Sequence, residues 1–569
     1  MSPGTRLAFA LFLFIIAAAV LIATGEGTEA ADIEHTSDWV ISGETIILTD
    51  KTIDVVGNVT IQAGGVLELY NCTLDIQCVV SGQFRLEVMA SGRLEAYDST
   101  IQATGSRMDV LFHDDVLIEG CTIDHVRGGS TSVRGITIDG GTASFKDTWI
   151  NDSNYHGLYV LAGLNLDNVT ITNITYAHVY LYNWGASAPY SVSISNSEFV
   201  GDGSASSWRA GVMLYTFQSG EDVDVTIADT TFRECYRGVY ISTTGKGSAD
   251  VQRCTFIDCR QGISMSWSTS SGTHVFKDNT VTADGTAGTV GLILTYRTNW
   301  GPVVEDNVVR DVYTGYIVNG RWNTPQTVSI GNLSVSDCTQ GLISEQDIQL
   351  TVHNSSFTRI ASSLECFVAR NDSTITIIDT DHPWGSGTVE SASSWIKAYT
   401  DVEIRGAKWK DGASIGQGFL VLENTTQFEV ARFNLSDLRS QDVAGWEVTS
   451  TDRRTSLYLY PALYDGGHGF RGERIDMRTY TPSVVELVDD VAPSVVIDEP
   501  RNDEGFATDS VVARGTYSEL GSGVDMVQYS LDGGDFLPLM TWSDDKWTMP
   551  MSFLVDGEHT LALRALDKV

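Results

Sequence analysis

The chain has 569 residues, 42% of them apolar, and a formal charge of −37 from 73 acidic against 36 basic residues. That length has room for about three domains with ordinary cores. The charge excludes nucleic acid and anionic lipid as partners of the general surface, and it suits an exterior protein bathed in salt or calcium-containing medium.

At the N-terminus Arg6 precedes an uncharged apolar run from Leu7 to Ala23, then small and acidic residues through Ala31. Residues 1–31 therefore read as a secretory signal peptide, with an uncleaved membrane anchor as the alternative. The expected location is secreted, at the extracellular cell surface. Export makes the eight cysteines candidates for disulfides. Cys235, Cys254, Cys259 and Cys338, however, occupy repeat positions that hold Val, Ile or Thr elsewhere, as small buried hydrophobes do. Cys72 and Cys78 are the local pair for which a bridge is left open. Asn-x-Ser/Thr recurs from Asn58 to Asn434, so some of these sites are expected to carry glycans, although the repeat itself also favours that triplet.

From Asp32 onward the chain repeats, and Arg253 to Met265 shows the unit plainly. An Asn or Asp, any residue, Thr or Ser and an apolar residue lead to a polar corner near a Gly, followed by apolar, any, apolar. Units begin at Asn71, Asp98, Gly120, Asp147, Asn168, Asn196, Asp229, Arg253, Asp278, Asp306, Asn332 and Asn354, a spacing of roughly 26 residues. Apolar residues alternate (Val169 and Ile171, Cys254 and Phe256, Ile263 and Met265), which means strands and not helices. Two or three short strands cannot bury a face alone, so successive turns must stack and pair in parallel. The predicted fold is all-β: a right-handed parallel β-helix over residues 32–380, about 12 turns and on the order of 55 to 60 Å long. Trp39 to Gly43 and Gly57 to Ile61 are expected to cap its open end. Gly135, Gly157, Gly211, Gly238, Gly262, Gly291, Gly315 and Gly341 precede the second strand, where a bend without a Cβ is easiest. Residues 381–489 are strand-rich without the period and predict a β-rich cap or small β-sandwich. Residues 490–569 contain five alternating strands and the hairpin signal Asp532-Gly-Gly534, an Ig-like β-sandwich cut short at its C-terminus.

Through these starts and Gly-apolar-x-apolar strands, Asp32 to Ala369 resembles the right-handed β-helix proteins of the NosD-like and pectate-lyase-like group, of the secreted prokaryotic surface type. Ala492 to Asp567, with Ala492-Pro-Ser-Val-Val-Ile-Asp-Glu-Pro500 and Asp556-Gly-Glu-His-Thr-Leu561, is similar to the bacterial Ig-like modules of adhesins and secreted carbohydrate-active enzymes. The first resemblance implies an outer face on which catalytic members use paired carboxylates, or a base beside calcium. Asp114-Asp115, Gly467-His468-Gly469 and Arg474-Ile475-Asp476 stand in the order of polygalacturonase-like enzymes. The Asn-x-Asp element is missing and Asp476 stands where Lys belongs, so no catalytic residue is assigned. Arg297, Arg321 and Arg370 follow the second strand, where a lyase base would stand. No Cys-x-x-Cys pair or Asp-x-Asp-x-Asp-Gly loop occurs, so no cofactor is expected; weak Ca²⁺ binding by corner carboxylates is left open without a position.

The stronger signal is aromatic. Tyr182, Trp184, Tyr215, Phe217, Trp267, Tyr296, Trp300 and Trp322 fall near the same strand of their turns, so stacking should gather them on one side of the coil. An exposed row of flat rings suits sugars; the alternative is that the rings pack on one another over the loops. The reading is a noncatalytic structural stalk or carbohydrate-binding, adhesive platform. The rivals are a polysaccharide lyase or glycoside hydrolase acting on an acidic or cell-surface glycan, and a surface-layer building block. Expected partners are a polysaccharide, further copies of itself or other surface proteins. Nucleic acid is excluded, and a membrane is reached only through an N-terminal or missing C-terminal anchor.

Overall fold

The computed structural model describes residues 32–567 apart from short segments, chiefly 183–188, 217–222, 267–273, 297–301 and 321–324, and parts of 410–482. The predicted signal segment 1–31 lies outside the described residues. The chain divides into two compact units, Met1–Val275 with Asn279–Ala283, and Phe276–Asp278 with Asp284–Val569. The boundary falls inside the region read from sequence as one helix.

In the first unit each turn contributes three strands, and each strand pairs in parallel with its equivalent in the next turn. Thr73–Gln77 pairs with Thr100–Thr104 in a first sheet, Arg85–Val88 with Asp109–Phe112 in a second, and Val66–Tyr70 with Arg93–Tyr97 in a third. Trp39–Ile41 and Val59–Ile61 pair in this same second sheet. The two stretches expected to cap the coil are therefore ordinary turns of it, with the same alternation of inward and outward residues.

Every unit start named above has a left-handed backbone, from Asn71 (φ 51°) to Asn354 (φ 48°), with Gly120 at φ 68°. Asn and Asp tolerate this conformation better than other non-glycine residues. Their side chains also link one corner to the next: Asn71 Nδ2 donates to Asp50 Oδ1 at 2.6 Å, and Asn168 Nδ2 to Asp147 Oδ1 at 2.6 Å. At the Arg253 corner a guanidinium takes that role, donating to both oxygens of Asp229 at 2.7 and 2.8 Å.

Inside the coil, like stacks on like. Phe199, Phe232 and Phe256 are in register, with ring centroids 5.2 and 4.9 Å apart. This stack corrects the reading for two of the glycines, whereas Gly135 has the positive φ, 120°, that a bend favouring glycine requires. A Cβ on Gly211 would meet the Phe232 ring, and one on Gly238 the Phe256 ring. These glycines make room for a neighbouring aromatic side chain more than they ease a bend. All eight cysteines are buried free thiols. Cys72 and Cys78 are not bridged, and the Cys72 thiol donates to the Tyr70 carbonyl at 3.3 Å.

The second unit continues the three-strand pattern in Val308–Arg310, Thr314–Gly320 and Gln326–Gly331, each paired in parallel with the next turn. The parallel run ends where Trp395–Trp409 pairs in parallel with Thr374–Ile378 but antiparallel with Ser440–Thr449. Phe419–Glu423 and its neighbours Glu429–Asn434 and Tyr458–Asp465 form a separate antiparallel sheet. Beyond Ser494 two short antiparallel sheets share a cluster of Ala513, Tyr517, Val527, Trp547 and Met549. The predicted hairpin is present: Asp532 and Gly533 both have positive φ, 55° and 73°. Among the described residues no helix is long and apolar enough to cross a membrane.

Because the Phe256 ring is fully buried, Gly238→Ala is expected to destabilise the protein by about 1 to 3 kcal/mol through overpacking. The denaturation midpoint measures this. An unchanged midpoint would show that the ring yields and that the glycine has another cause.

Candidate functional site

On the second sheet of the first unit, Leu158 and Val160, Val179 and Leu181, Val212 and Leu214, and Val239 and Ile241 point inward, each at most 1% exposed. The alternate residues therefore face outward, and pairing register arranges them in columns. One column runs Thr137, Tyr159, Tyr180, Met213, Tyr240, Ser264. The next runs Tyr182, Tyr215, Ser242. Four tyrosine rings pack along and across these columns: Tyr159 to Tyr180 and Tyr180 to Tyr182 at 5.7 Å, and Tyr180 to Tyr215 at 6.4 Å. Tyr159 and Tyr180 are buried by their neighbours, while Tyr182, Tyr215 and Tyr240 are half-buried. Trp208, 52% exposed, meets Tyr215 edge-on at 6.5 Å.

Arginines overlie these rings. The Arg134 guanidinium lies 5.2 Å from the Tyr159 ring centre and 5.7 Å from that of Tyr182. Arg237 lies 4.1 Å over Tyr240, and Arg237 and Arg260 both sit 5.5 Å from Tyr236. Such contacts favour the cation by roughly 0.5 to 2 kcal/mol, more as water is excluded. Arg237 Nε donates to Gln261 Oε1 at 3.0 Å, and the Tyr240 hydroxyl shares a 2.8 Å hydrogen bond with the Ser266 hydroxyl. His156 stacks on Tyr180 at 4.4 Å, and its Nδ1 accepts from the Ala177 amide at 3.3 Å. Burial, and then the charge of Arg134, pushes His156 down to about 3, so the ring is neutral.

Of the aromatic residues predicted from sequence, the structure brings Tyr182 and Tyr215 together. Trp184, Phe217, Trp267, Trp300 and Trp322 lie outside the described residues. Tyr296 is a correction: it is in the second unit, 2% exposed, and faces inward. The reason is parity. Tyr296 follows the inward Leu292 and Leu294 at a spacing of two, whereas Tyr182 and Tyr215 each follow an inward Leu by one. The same rule would have found Tyr159, Tyr180 and Tyr240, which the search for clustered aromatics passed over.

The catalytic resemblances do not assemble. Asp114 and Asp115 cap corners, accepting from the Ser91 and Thr142 amides at 2.5 and 2.8 Å. His468 is in an antiparallel strand of the second unit, and Gly467 and Arg474 lie outside the described residues. Arg297 and Arg321 also lie outside them, while Arg370 is held by Glu345 at 3.2 Å and Glu390 at 2.9 Å. On the first sheet, Asp124, His125 and Asp152 bring three ligand atoms within 4.8 Å of one another. There His125 Nδ1 is 3.1 Å from Asp124, and Arg107 already engages Asp152 at 2.6 Å.

Residues 113–284 match the sequence family described as the right-handed beta helix region. With the parallel pairing above, the match identifies a right-handed parallel β-solenoid. The chain is also similar to a double mutant of the tailspike protein of E. coli bacteriophage HK620, at 11% identity and a TM-score of 0.27, over 90% of this chain and 87% of that one. No curated protein sequence matches the chain.

His156 titrates from 6.5 in the unfolded chain to about 3 in the folded one. Its contribution is fully present above pH 6.5 and is lost as pH falls toward 3, because the unfolded state takes up the proton first. His156→Gln should therefore lose less stability than the wild type between those limits, by a few kcal/mol. Denaturant titrations at pH 7 and pH 4 measure the difference, and parallel losses in both proteins would place the proton uptake elsewhere.

Proposed function

We propose that this chain is a secreted, surface-associated β-helix protein whose second-sheet face in the first unit binds an acidic cell-surface glycan without cleaving it. The observation that carries this reading is the register of Tyr182 with Tyr215 beside Tyr159, Tyr180 and Tyr240, overlaid by Arg134 and Arg237. On a chain of charge −37 it forms a local cationic patch. Planar guanidinium groups suit sugar carboxylates and sulfates, and half-buried tyrosines add apolar faces and hydroxyls. From Thr137 to Ser264 and from Tyr182 to Ser242 the columns contain no carboxylate, the first reaching Glu87 only two turns before Thr137, which favours binding over acid–base hydrolysis at the tyrosines. The N-terminal apolar segment supports export. The repeat grammar supports a NosD-like relative, and the antiparallel sheets beyond Ser494 support an Ig-like module that spaces or attaches the coil.

A glycan array with neutral and acidic sugars, run beside a polysaccharide-degradation assay, tests this reading. Tyr182→Ala with Tyr215→Ala, and separately Arg134→Gln, should weaken binding of acidic glycans by about tenfold or more, equivalent to about 1.4 kcal/mol. Circular dichroism checks that these variants keep the fold. Binding undiminished in both variants would move the site off this face, and release of unsaturated or reducing ends would make the protein an enzyme.

A further inference from the structure

The first sheet carries a different column, independent of the tyrosine face. Four residues after each left-handed corner the chain places one outward side chain: Asp54 after Asp50, Asp75 after Asn71, Gln102 after Asp98, Asp124 after Gly120. Pairing puts Glu34 beside Asp54, Asp54 beside Asp75, and Asp75 beside Gln102. Neighbouring strands are only about 4.8 Å apart, so Glu34, Asp54 and Asp75 form a run of three like charges, an arrangement that is unfavourable without a counter-charge.

Asp75 is the unusual member. Leu74 and Ile76 on either side of it are fully buried in the coil, and Asp75, on the opposite face, is itself only 8% exposed. The Thr104 hydroxyl donates to its Oδ2 at 2.6 Å, while its Oδ1 is buried and has no hydrogen-bond partner among the described residues. Most nearby donors are already committed, although Arg107 Nε, like Asp75 Oδ1, is buried without a partner among the described residues. The Gln77 amide donates to Asp54 Oδ2 at 2.9 Å, Arg107 engages Asp152, and His125 sits between Asp124 and Asp152. Burial raises Asp75 above the usual carboxylate range, and burial followed by the charge of Glu34 does the same for Asp54. A buried carboxylate oxygen without a partner is costly and rare in folded proteins.

We propose that Asp54 and Asp75, on adjacent turns of the first sheet, bind a Ca²⁺ ion to which the unpartnered Asp75 Oδ1 supplies a ligand. The donors are all hard oxygens. Ca²⁺ accepts such irregular oxygen shells with bonds of about 2.3 to 2.6 Å, whereas Mg²⁺ demands near-octahedral geometry and gives up water reluctantly. The ion would neutralise the run of like charges and tie consecutive turns together near the start of the coil.

The test is calorimetric titration of the chelator-treated full chain with CaCl₂, and separately MgCl₂, alongside thermal unfolding with and without Ca²⁺. The expected result is a saturable Ca²⁺ site, about tenfold or more tighter than for Mg²⁺, and a higher melting temperature in Ca²⁺. Asp75→Asn and Asp54→Asn should each abolish that site and the rise in melting temperature. Asp152→Asn, which disrupts the separate Asp124–His125–Asp152 cluster, should leave both intact. Asp75→Asn keeps the side-chain shape and removes the unpaired charge, so it should melt no lower than wild type without Ca²⁺. If it fails to fold, the half-exposed Asp54→Asn decides. No saturable site in the wild type, a site that survives Asp54→Asn or Asp75→Asn, or one lost only in Asp152→Asn would overturn the proposal.

Discussion

The left-handed corner that opens each turn is the constraint on which the rest of this structure depends. It resets the strand at the same point every time, so a residue a given number of places beyond the corner points the same way in each turn. Parallel pairing then sets that residue beside its equivalent about 4.8 Å away. The stacking is indifferent to chemistry, but its energetic consequence is not. Phe199, Phe232 and Phe256 gain contact from being stacked, and the outward tyrosines cover one another. Carboxylates at one offset, as at Asp54 and Asp75, are forced into repulsion that something else must relieve.

The same geometry sorts the arginines. At the corners and on the exposed sheet surfaces, Arg233 pairs with Glu198, Arg253 with Asp229 and Arg359 with Asp337. Exposed pairs of this kind contribute little to stability, yet each consumes a cationic charge. Arg134 differs. Its guanidinium lies over tyrosine rings, and among the described residues it has no carboxylate within salt-bridge distance. A cation held by an aromatic face keeps its capacity for an anionic ligand, which distinguishes a recognition surface from a neutralised one. His156 completes the patch by remaining uncharged beneath Tyr180.

Glycines and tyrosines show where reading by residue type is insufficient. Gly211 and Gly238 stand at a strand start, and a bend was the natural expectation. Their cause lies one turn away, in the rings of Phe232 and Phe256. Tyr296 looked equivalent to Tyr182 by its distance from a strand, but counting from the inward leucines reverses it. The Asp54 and Asp75 pair was readable from equal offsets after Asp50 and Asn71, but only once those corners were known as the points from which to count.

What the amino-acid sequence determined by itself was the periodic part: parallel strands, corner positions, inward cysteines and the change of pattern after Asp379. These depend on local backbone preference and on alternation, both carried by residues close together in the chain. The tertiary structure alone decided which side chains become neighbours across turns: Arg134 over Tyr182, Phe256 against Gly238, and Asp75 with a buried oxygen that has no hydrogen-bond partner among the described residues. Those pairings depend on register between strands some 20 to 50 residues apart and on the loops each turn inserts between them, which shift the count without disturbing the repeat.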